Sequence, residues 1–514
     1  MLYVSILVEL LRSRPALAVW IAAGAQAAVW TLVPAWFYDG PPGNLPAVLA
    51  VGHEFQLGTY LGAPLAFWLA ELTFRLTGRS LLAIYALSQI CVVVTYWAVF
   101  RLGRAILGAQ QAAIAVLLMV GISTFTVTTP EFGPVILAMP LWALALLHYW
   151  LVVGEKRTGY AIALAIEVGL ILLTTYAGTV LVGLLILFTC MSARTRPMLR
   201  ASTLWPAGIV ALALAIPNLY WVVTTNEEFL ATLARLRAPE SVAGNFTAWL
   251  RQLTLLVGAH AGLIVLVGIV IGLPWARPEP APVIVRNPVE PFARQFVFFF
   301  ALMPALLATV AGVVAGSPGP VGGIAPLVVL SGLAVVIAAG DAIALSHQRG
   351  VIATWFGLLL IPPALAVLAL LILPWFGVDL AVNQPADAMA RFFADSFARR
   401  VGKDLPIVAG DPRTAELVEL GAASRPSLYL EATPRRSPWV SIDDIRTKGA
   451  IVVWPTTDTA GTPPADIKQD FPDIVPEVPR AFERSVQGSL PLLRIGWALI
   501  RPQPRDAPAA APKP

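Results

Sequence analysis

Residues 15–44 read PALAVWIAAGAQAAVWTLVPAWFYDGPPGN, and this stretch decides the fold. Positions 15–36 hold no charged side chain, over about the 20 residues that a helix needs to cross a bilayer. Asp39 then follows at a Gly-Pro-Pro corner, and the segment runs on to Glu71 as LPAVLAVGHEFQLGTYLGAPLAFWLAE. A carboxylate held where a span leaves the membrane, followed by a His-Glu pair, suits a membrane enzyme working at the bilayer surface. A simple pore or scaffold has no need of it.

Working outward, the 514 residues are 58% hydrophobic and only 13% charged, with a mean hydropathy of +0.76. Globular domains carry about a quarter charged residues, so the chain reads as an integral membrane protein. Its apolar runs are too long and too uniform for barrel strands, which are half that length and alternate. Candidate spans lie near 15–36, 80–100, 110–128, 134–153, 159–174, 177–192, 203–223, 252–273, 296–315, 324–341 and 351–374, about eleven in all. The fifth and sixth share one apolar block, interrupted by Thr174, Thr175, Tyr176 and Gly178. The N-terminal MLYVSILVELLRSRP reads as an amphipathic lead-in and not as a removed signal peptide. Cys91 and Cys190 both fall inside spans and read as small hydrophobes. The net charge of +5 carries no nucleic-acid reading, because the arginines sit at span ends.

Those arginines set the orientation. With the N-terminus inside, cytoplasmic segments hold Arg12, Arg14, Arg101, Arg104, Lys156, Arg157, Arg194, Arg196, Arg200, Arg277, Arg286, Arg294 and Arg349. The opposite loops hold Arg75, Arg79, Arg235, Arg237 and Arg251. The bias puts Asp39 outside. After Trp375 the composition becomes that of a soluble domain with a βα rhythm: strands at 406–411, 427–432 and 450–455 alternate with helices over TAELVELGA and SIDDIRTKG. The expected organisation is a membrane domain over 1–375, an outside α/β domain over 376–500 and a disordered tail over 501–514. No glycine fingerprint follows a strand, so nucleotide binding has no support, and no internal repeat favours an inverted-repeat transporter.

Each candidate has a bland reading beside its chemical one. Asp39 reads as a general base or as a turn residue. His53 and Glu54 read as a phosphate or metal contact or as surface charges. Glu131, in the short turn Thr128–Gly133 between Pro130 and Pro134, reads as an acid pinned at the outer face or as a helix cap. Arg235 and Arg237 of the fourth outer loop suit an anionic head group, or are solvated. An amphipathic helix over about 63–76 suits the membrane surface. His148 and His347 read as inert, and His260 as a hydrogen-bonded core histidine. Glu167 marks a buried proton site or a misplaced span. No ligand triad at metal spacing appears, so neither metal nor cofactor is expected.

The outside Asp39, the element GTYLGAPLAFWLAEL at 58–72 and the segment TPEF…PLWALAL at 129–146 together resemble the GT-C glycosyltransferases. Within that superfamily the likeness is to protein O-mannosyltransferase-like enzymes and to the lipid A aminoarabinose and galacturonic acid transferases. It covers about residues 15–340. The resemblance implies transfer of a sugar, with inversion, from a polyprenyl-phosphate carrier to an acceptor hydroxyl of lipid A, another lipid or another envelope glycoconjugate. It places the active site and C-terminal domain on the periplasmic side of a bacterial inner membrane, among membrane lipids. Asp39 matches the family's base and Glu131 its second-loop acid; Gly58, Tyr60 and Pro64 match the frame of the surface helix. Two departures stand out. Gly40 replaces an acidic residue, and Gly62-Ala63-Pro64 lacks the lysine that meets the lipid phosphate, a role left to His53, Arg75, Arg235 or Arg237. The rival reading is a lipid or small-molecule transporter, which needs ionisable groups along a path through the membrane.

Overall fold

Backbone polar groups in lipid must be satisfied within the chain, and the apolar stretches of this protein meet that demand as helices. The computed structural model describes residues 2–59, 61–197, 204–224, 242–271, 283–315, 323–344, 347–430 and 437–503. Two compact units emerge: Met1–Trp36, Leu61–Ala66 and Leu76–Leu365 form the first, and Phe37–Tyr60, Phe67–Arg75 and Ala366–Pro514 the second.

In chain order the helices are α1 Leu2–Ser13, α2 Pro15–Phe37, α3 Leu45–His53, α4 Leu65–Leu76, α5 Leu81–Leu107, α6 Ala109–Met119, α7 Pro134–Val153, α8 Ala161–Leu172, α9 Gly178–Met191 and α10 Leu204–Thr224. There follow α11 Val242–Ala259, α12 Ala261–Ile271, α13 Pro291–Ala315, α14 Ser331–Ala338 and α15 Gln348–Ile372. Among the described residues six helices are long and apolar enough to cross a membrane: α2, α5, α7, α10, α13 and α15. The other expected spans are a broken pair, α11 with α12, and four shorter apolar helices. The expected third span, 110–128, ends as a helix at Met119, and Ser123–Phe125 turns as a 3-10 segment.

The break in this pair coincides with a close tertiary contact. α11 and α12 bend by 51° around His260, and the amide that the bend frees at Leu263 donates to Gly121 O at 2.9 Å. Glycine is required on both sides, since a Cβ on Gly121 would come within 2.5 Å of Leu263 N and one on Gly262 within 2.7 Å of Gly121 O. His260 Nδ1 lies 2.7 Å from Leu256 O and its Nε2 2.9 Å from the Ser331 hydroxyl. A carbonyl only accepts, so Nδ1 carries the proton and Nε2 accepts from Ser331. This is the hydrogen-bonded core histidine expected. His148 is paired: its Nδ1 lies 2.6 Å from Glu167 Oε1 and its ring stacks on Tyr160. Glu167 is buried in a genuine helix, α8, and is paired. Rings of Tyr149, Phe188, Phe296 and Phe300 fill the space between α7, α9 and α13. A small ribbon, β1 Val283–Val285 with β2 Ala342–Ala344, completes the unit.

The second unit is an α/β layer structure. Its sheet has the order β4-β3-β5-β7-β6, from β3 Ile407–Gly410, β4 Ser427–Leu430, β5 Ala450–Pro455, β6 Glu477–Phe482 and β7 Leu493–Ile500. β3 runs parallel to β4 and β5, while β7 is antiparallel to β5 and β6. The three strands read from the sequence are present; β6, with two charges and a proline, and β7 were not expected. One face of the sheet carries α16 Ala386–Val401 and α17 Pro412–Gly421, whose Met389, Phe393, Phe397 and Val418 pack with Val408 and Ile451. The other carries α18 Ile442–Lys448 and α19 Ala465–Asp470. Ala50 of α3 joins the first of these cores. Leu45 to Gly52 are all buried, so a helix from the segment after α2 is an internal part of the C-terminal unit.

Candidate functional site

The Asp39 corner is built from two ends of the sequence. Prolines 41 and 42 cannot donate and restrict the chain, so the amides of Asp39 and Gly40 must find acceptors elsewhere. Both donate to Val382 O at 2.9 Å. Gly40 faces the turn at 381–384 so closely that a Cβ would stand 3.0 Å from Ala381 O and 3.1 Å from Gln384 O. A side chain at this position, where the resembled family carries an acidic residue, would press on those two carbonyls. Arg413, in the first turn of α17, closes the corner by donating from Nη1 to Gly43 O and from Nη2 to Pro41 O, each at 2.9 Å. A guanidinium suits two carbonyls spaced along a chain because its donors form a fixed fork.

The Asp39 side chain is exposed. Even so, the surrounding protein displaces enough water to lift its carboxyl above the usual range, and the charge of Asp387, in the first turn of α16, adds to this. A carboxylate made more basic and held on a fixed backbone has the properties of a general base.

A second cluster forms where α3 ends. Gly52 allows α3 to approach the start of α4, since a Cβ there would be 2.4 Å from Phe67 O. That approach brings His53 and Glu54 beside Glu71 and Arg75. Glu71 is 1% exposed and takes Arg75 Nε on Oε1 and Arg425 Nη2 on Oε2, the latter at 2.8 Å. His53 Nδ1 lies 3.2 Å from Glu71 Oε1 and 2.9 Å from Arg75 Nη2. Arginine only donates, so Nδ1 accepts from Arg75 and the Glu71 contact is not a hydrogen bond. Arg425 also donates to Leu49 O at 3.3 Å and lies 2.9 Å from Glu419 Oε1. It does so from a left-handed backbone (φ +49°), an unfavourable conformation for an arginine that its partners hold in place.

The cluster's charge balance is uneven: Glu54, Glu71 and Glu419 face two guanidiniums. Glu71 stays low despite its burial, through its contacts with Arg425 and Arg75. Burial raises Glu54, offset by the Ser427 hydroxyl and nearby cations. Burial pushes Glu419 up to about 8 against the opposing pull of Arg425. The surplus negative charge is therefore relieved by a proton on Glu419.

Glu131 belongs to the first unit and is held locally. Its turn closes through Glu131 N to Thr128 O at 3.3 Å, and Gln89 of α5 donates to the buried Thr129 hydroxyl at 2.9 Å. The side chain itself is exposed. Tyr60, Arg235 and Arg237 lie outside the described residues. Sequence reading missed Glu419, Arg425, Arg413 and Asp387, and gave Glu71 no role. A lone carboxylate in the apolar run LAFWLAEL was the one available signal.

Comparisons with known proteins bear on this arrangement. Residues 62–221 match the family model of dolichyl-phosphate-mannose-protein mannosyltransferases. That match takes in Glu131 and leaves out Asp39. The structure resembles ArnT from Cupriavidus metallidurans bound to undecaprenyl phosphate, with a TM-score of 0.60 at 13% identity over 94% of this chain and 99% of that one. The apo form of the same protein gives a TM-score of 0.57 at 13% identity, over 94% and 98% of the two chains. No curated protein sequence matches the chain. At this identity the likeness is one of fold, and it runs nearly the whole length of both chains.

Proposed function

We propose, from the premise that this chain is by fold a membrane glycosyltransferase of the GT-C superfamily, that it moves a sugar with inversion from a polyprenyl-phosphate carrier to an acceptor hydroxyl. The acceptor is lipid A or another envelope glycoconjugate, and the reaction runs on the periplasmic face of a bacterial inner membrane, with about eleven spans below it. One observation carries the reading: Asp39, directly after α2, has a raised pKa and a backbone tied to Val382 and Arg413.

In this mechanism Asp39 takes the proton of the acceptor hydroxyl as its oxygen attacks the anomeric carbon. The C1–phosphate bond breaks on the opposite face, and the lipid phosphate leaves with the electron pair. A phosphate is already a good leaving group, so the protein need supply only a base, alignment and charge stabilisation. A single in-line carboxylate suits inversion; the close pair of a retaining hydrolase is not needed. Glu131 takes the acceptor-binding role. The lipid phosphate falls to outer-loop cations: Arg75, whose guanidinium is half-exposed, with Arg235 and Arg237. His53 and Glu54 steer Arg75 through the Glu71 cluster, and Tyr60 frames the surface helix.

The test is sugar transfer by the purified protein from polyprenyl-phosphate sugars to membrane lipid extract, wild type against Asp39→Asn. Transfer by the wild type that disappears in a folded variant supports both class and base. Equal transfer by the two removes Asp39 from the chemistry, and no transfer from any donor removes the class.

A further inference from the structure

The sheet of the second unit holds a cavity that the reaction above does not use. In the order β4-β3-β5, the connection leaving β3 turns towards β4, while the one leaving β5 turns the other way, through α19 to β6. Where connections diverge like this, an open α/β sheet leaves a crevice beyond the carboxyl ends of its strands, a favoured place for ligands. Here it is a cavity of about 250 Å³. Gly410 opens it: the residue has φ +112°, and a Cβ there would come within 2.1 Å of Val453 O, so only glycine lets β3 leave the sheet so close to β5.

Its lining has a definite chemistry. Tyr429, Trp454 and Phe471 supply aromatic surface, and Asp411, Asp466 and Asp470 supply carboxylates; among the described residues no basic side chain contributes. The Tyr429 hydroxyl, on a residue 2% exposed, has no hydrogen-bond partner among the described residues. Burial, and then the charge of Asp470, raise this phenol, so it remains protonated and able to donate. Asp411 spends one oxygen on capping α17, accepting from the Thr414 amide at 2.9 Å. Among the described residues no group of three His, Cys, Asp or Glu side chains could hold a metal ion.

Among the described lining residues, phosphates and carboxylates would meet only negative charge. A compact cation could pair with the aspartates but could not accept from Tyr429. A ring bearing several hydroxyls does both, donating to the carboxylates and accepting from the phenol, while its C–H face lies on the aromatic rings. The volume is below the roughly 300–1,000 Å³ of pockets for drug-sized ligands and suits one six-membered ring.

Asp411 also lines a neighbouring cavity of about 220 Å³ with Gln384, Arg413 and Thr414. Arg413 is the residue that grips Pro41 and Gly43, and the Gln384 carbonyl faces Gly40. The two cavities share Asp411 and Pro455, and the second is lined by two residues, Gln384 and Arg413, that pack against the Asp39 corner.

We infer that the cavity lined by Tyr429, Trp454, Asp466 and Asp470 is a saccharide subsite, which takes one non-anionic sugar ring of the acceptor while a neighbouring hydroxyl is presented to Asp39. The binding claim stands alone; the acceptor role rests on the glycosyltransferase reading. Saturation-transfer NMR on the full chain in detergent tests it, with methyl glycosides of glucose, galactose, mannose and glucosamine as probes and their 6-phosphates as the anionic arm. The expected result is saturation transfer to at least one non-anionic glycoside, with affinity at least tenfold weaker in Asp466→Ala and in Tyr429→Phe. Asp466 is exposed, so its variant tests the site without disturbing the core. Binding unchanged in both variants, binding of the phosphorylated probes alone, or no binding by any probe overturns the inference. Asp39→Asn separates the two readings: it should still bind the glycoside, and if it also transfers sugar, the base assignment fails while the subsite stands.

Discussion

Asp39 and Glu131 sit in loops that look alike in sequence and are held in opposite ways. YDGPPGN at 38–44 and TTPEFG at 128–133 each follow an apolar segment and combine a carboxylate with proline and glycine. The second loop closes on itself and leans on Gln89, some 40 residues away. The first is fixed by Val382 and by Arg413, which lies 370 residues along the chain from Gly43. A group that only has to be present at the membrane surface can be placed by its own turn. One proposed to abstract a proton in line with attack needs a rigid frame, and the sheet-bearing unit to which the Asp39 loop belongs supplies it.

The sharpest break of this comparison is Asp39→Asn, which should lower kcat for transfer by about 10³-fold, in the range for loss of a general base. Arg413→Ala should follow at about 10²-fold, since misplacing a reacting group by an ångström costs that much. Arg413→Lys should recover only part, because an ammonium cannot fork to Pro41 O and Gly43 O together. If Arg413→Ala leaves kcat unchanged, the C-terminal unit does not position the base. Glu131→Gln should cost less, roughly tenfold and chiefly in KM for acceptor, as expected for one charge-assisted hydrogen bond. A kcat effect as large as that of Asp39→Asn would make the two loops equal partners in the chemistry.

Smaller effects sharpen the same contrast through pH. Asp387→Asn removes a negative charge that raises Asp39, so the acidic limb of kcat/KM should move to lower pH; an unmoved limb would detach Asp387 from the base. For Glu419 the carboxyl titrates near 4.5 when unfolded and near 8 in the fold. Unfolding between those values releases a proton, so stability should fall as pH rises from about 4.5 to about 8 and then level off. Thermal unfolding of the full chain should show this slope, and Glu419→Gln should flatten it.

Much of the architecture is legible in the residues, for identifiable reasons. Apolar runs announce helices because hydropathy is a local sum, and PIVAGD, SLYLEA and AIVVWP announce strands because short apolar runs bounded by turn residues leave few other options. β6 escaped because EVPRAF has a proline and two charges, which a ladder to β7 at the sheet edge tolerates. The break at His260 escaped because the contact it coincides with, that of Gly121 with Gly262 and Leu263, joins residues over 140 positions apart.

The sequence by itself determined that this is a multi-helix membrane protein, that Asp39 stands where the first span ends, and that a βα-type domain follows the last. Each depends on properties summed over neighbouring residues. Only the tertiary structure decided that α3 belongs to the C-terminal unit, that Arg413 and Val382 hold the Asp39 corner, and that Arg425 joins Glu71 across 354 positions to Glu419. A hydrogen bond or ion pair acts over a few ångströms, so partners distant in the chain are chosen by how the whole unit packs.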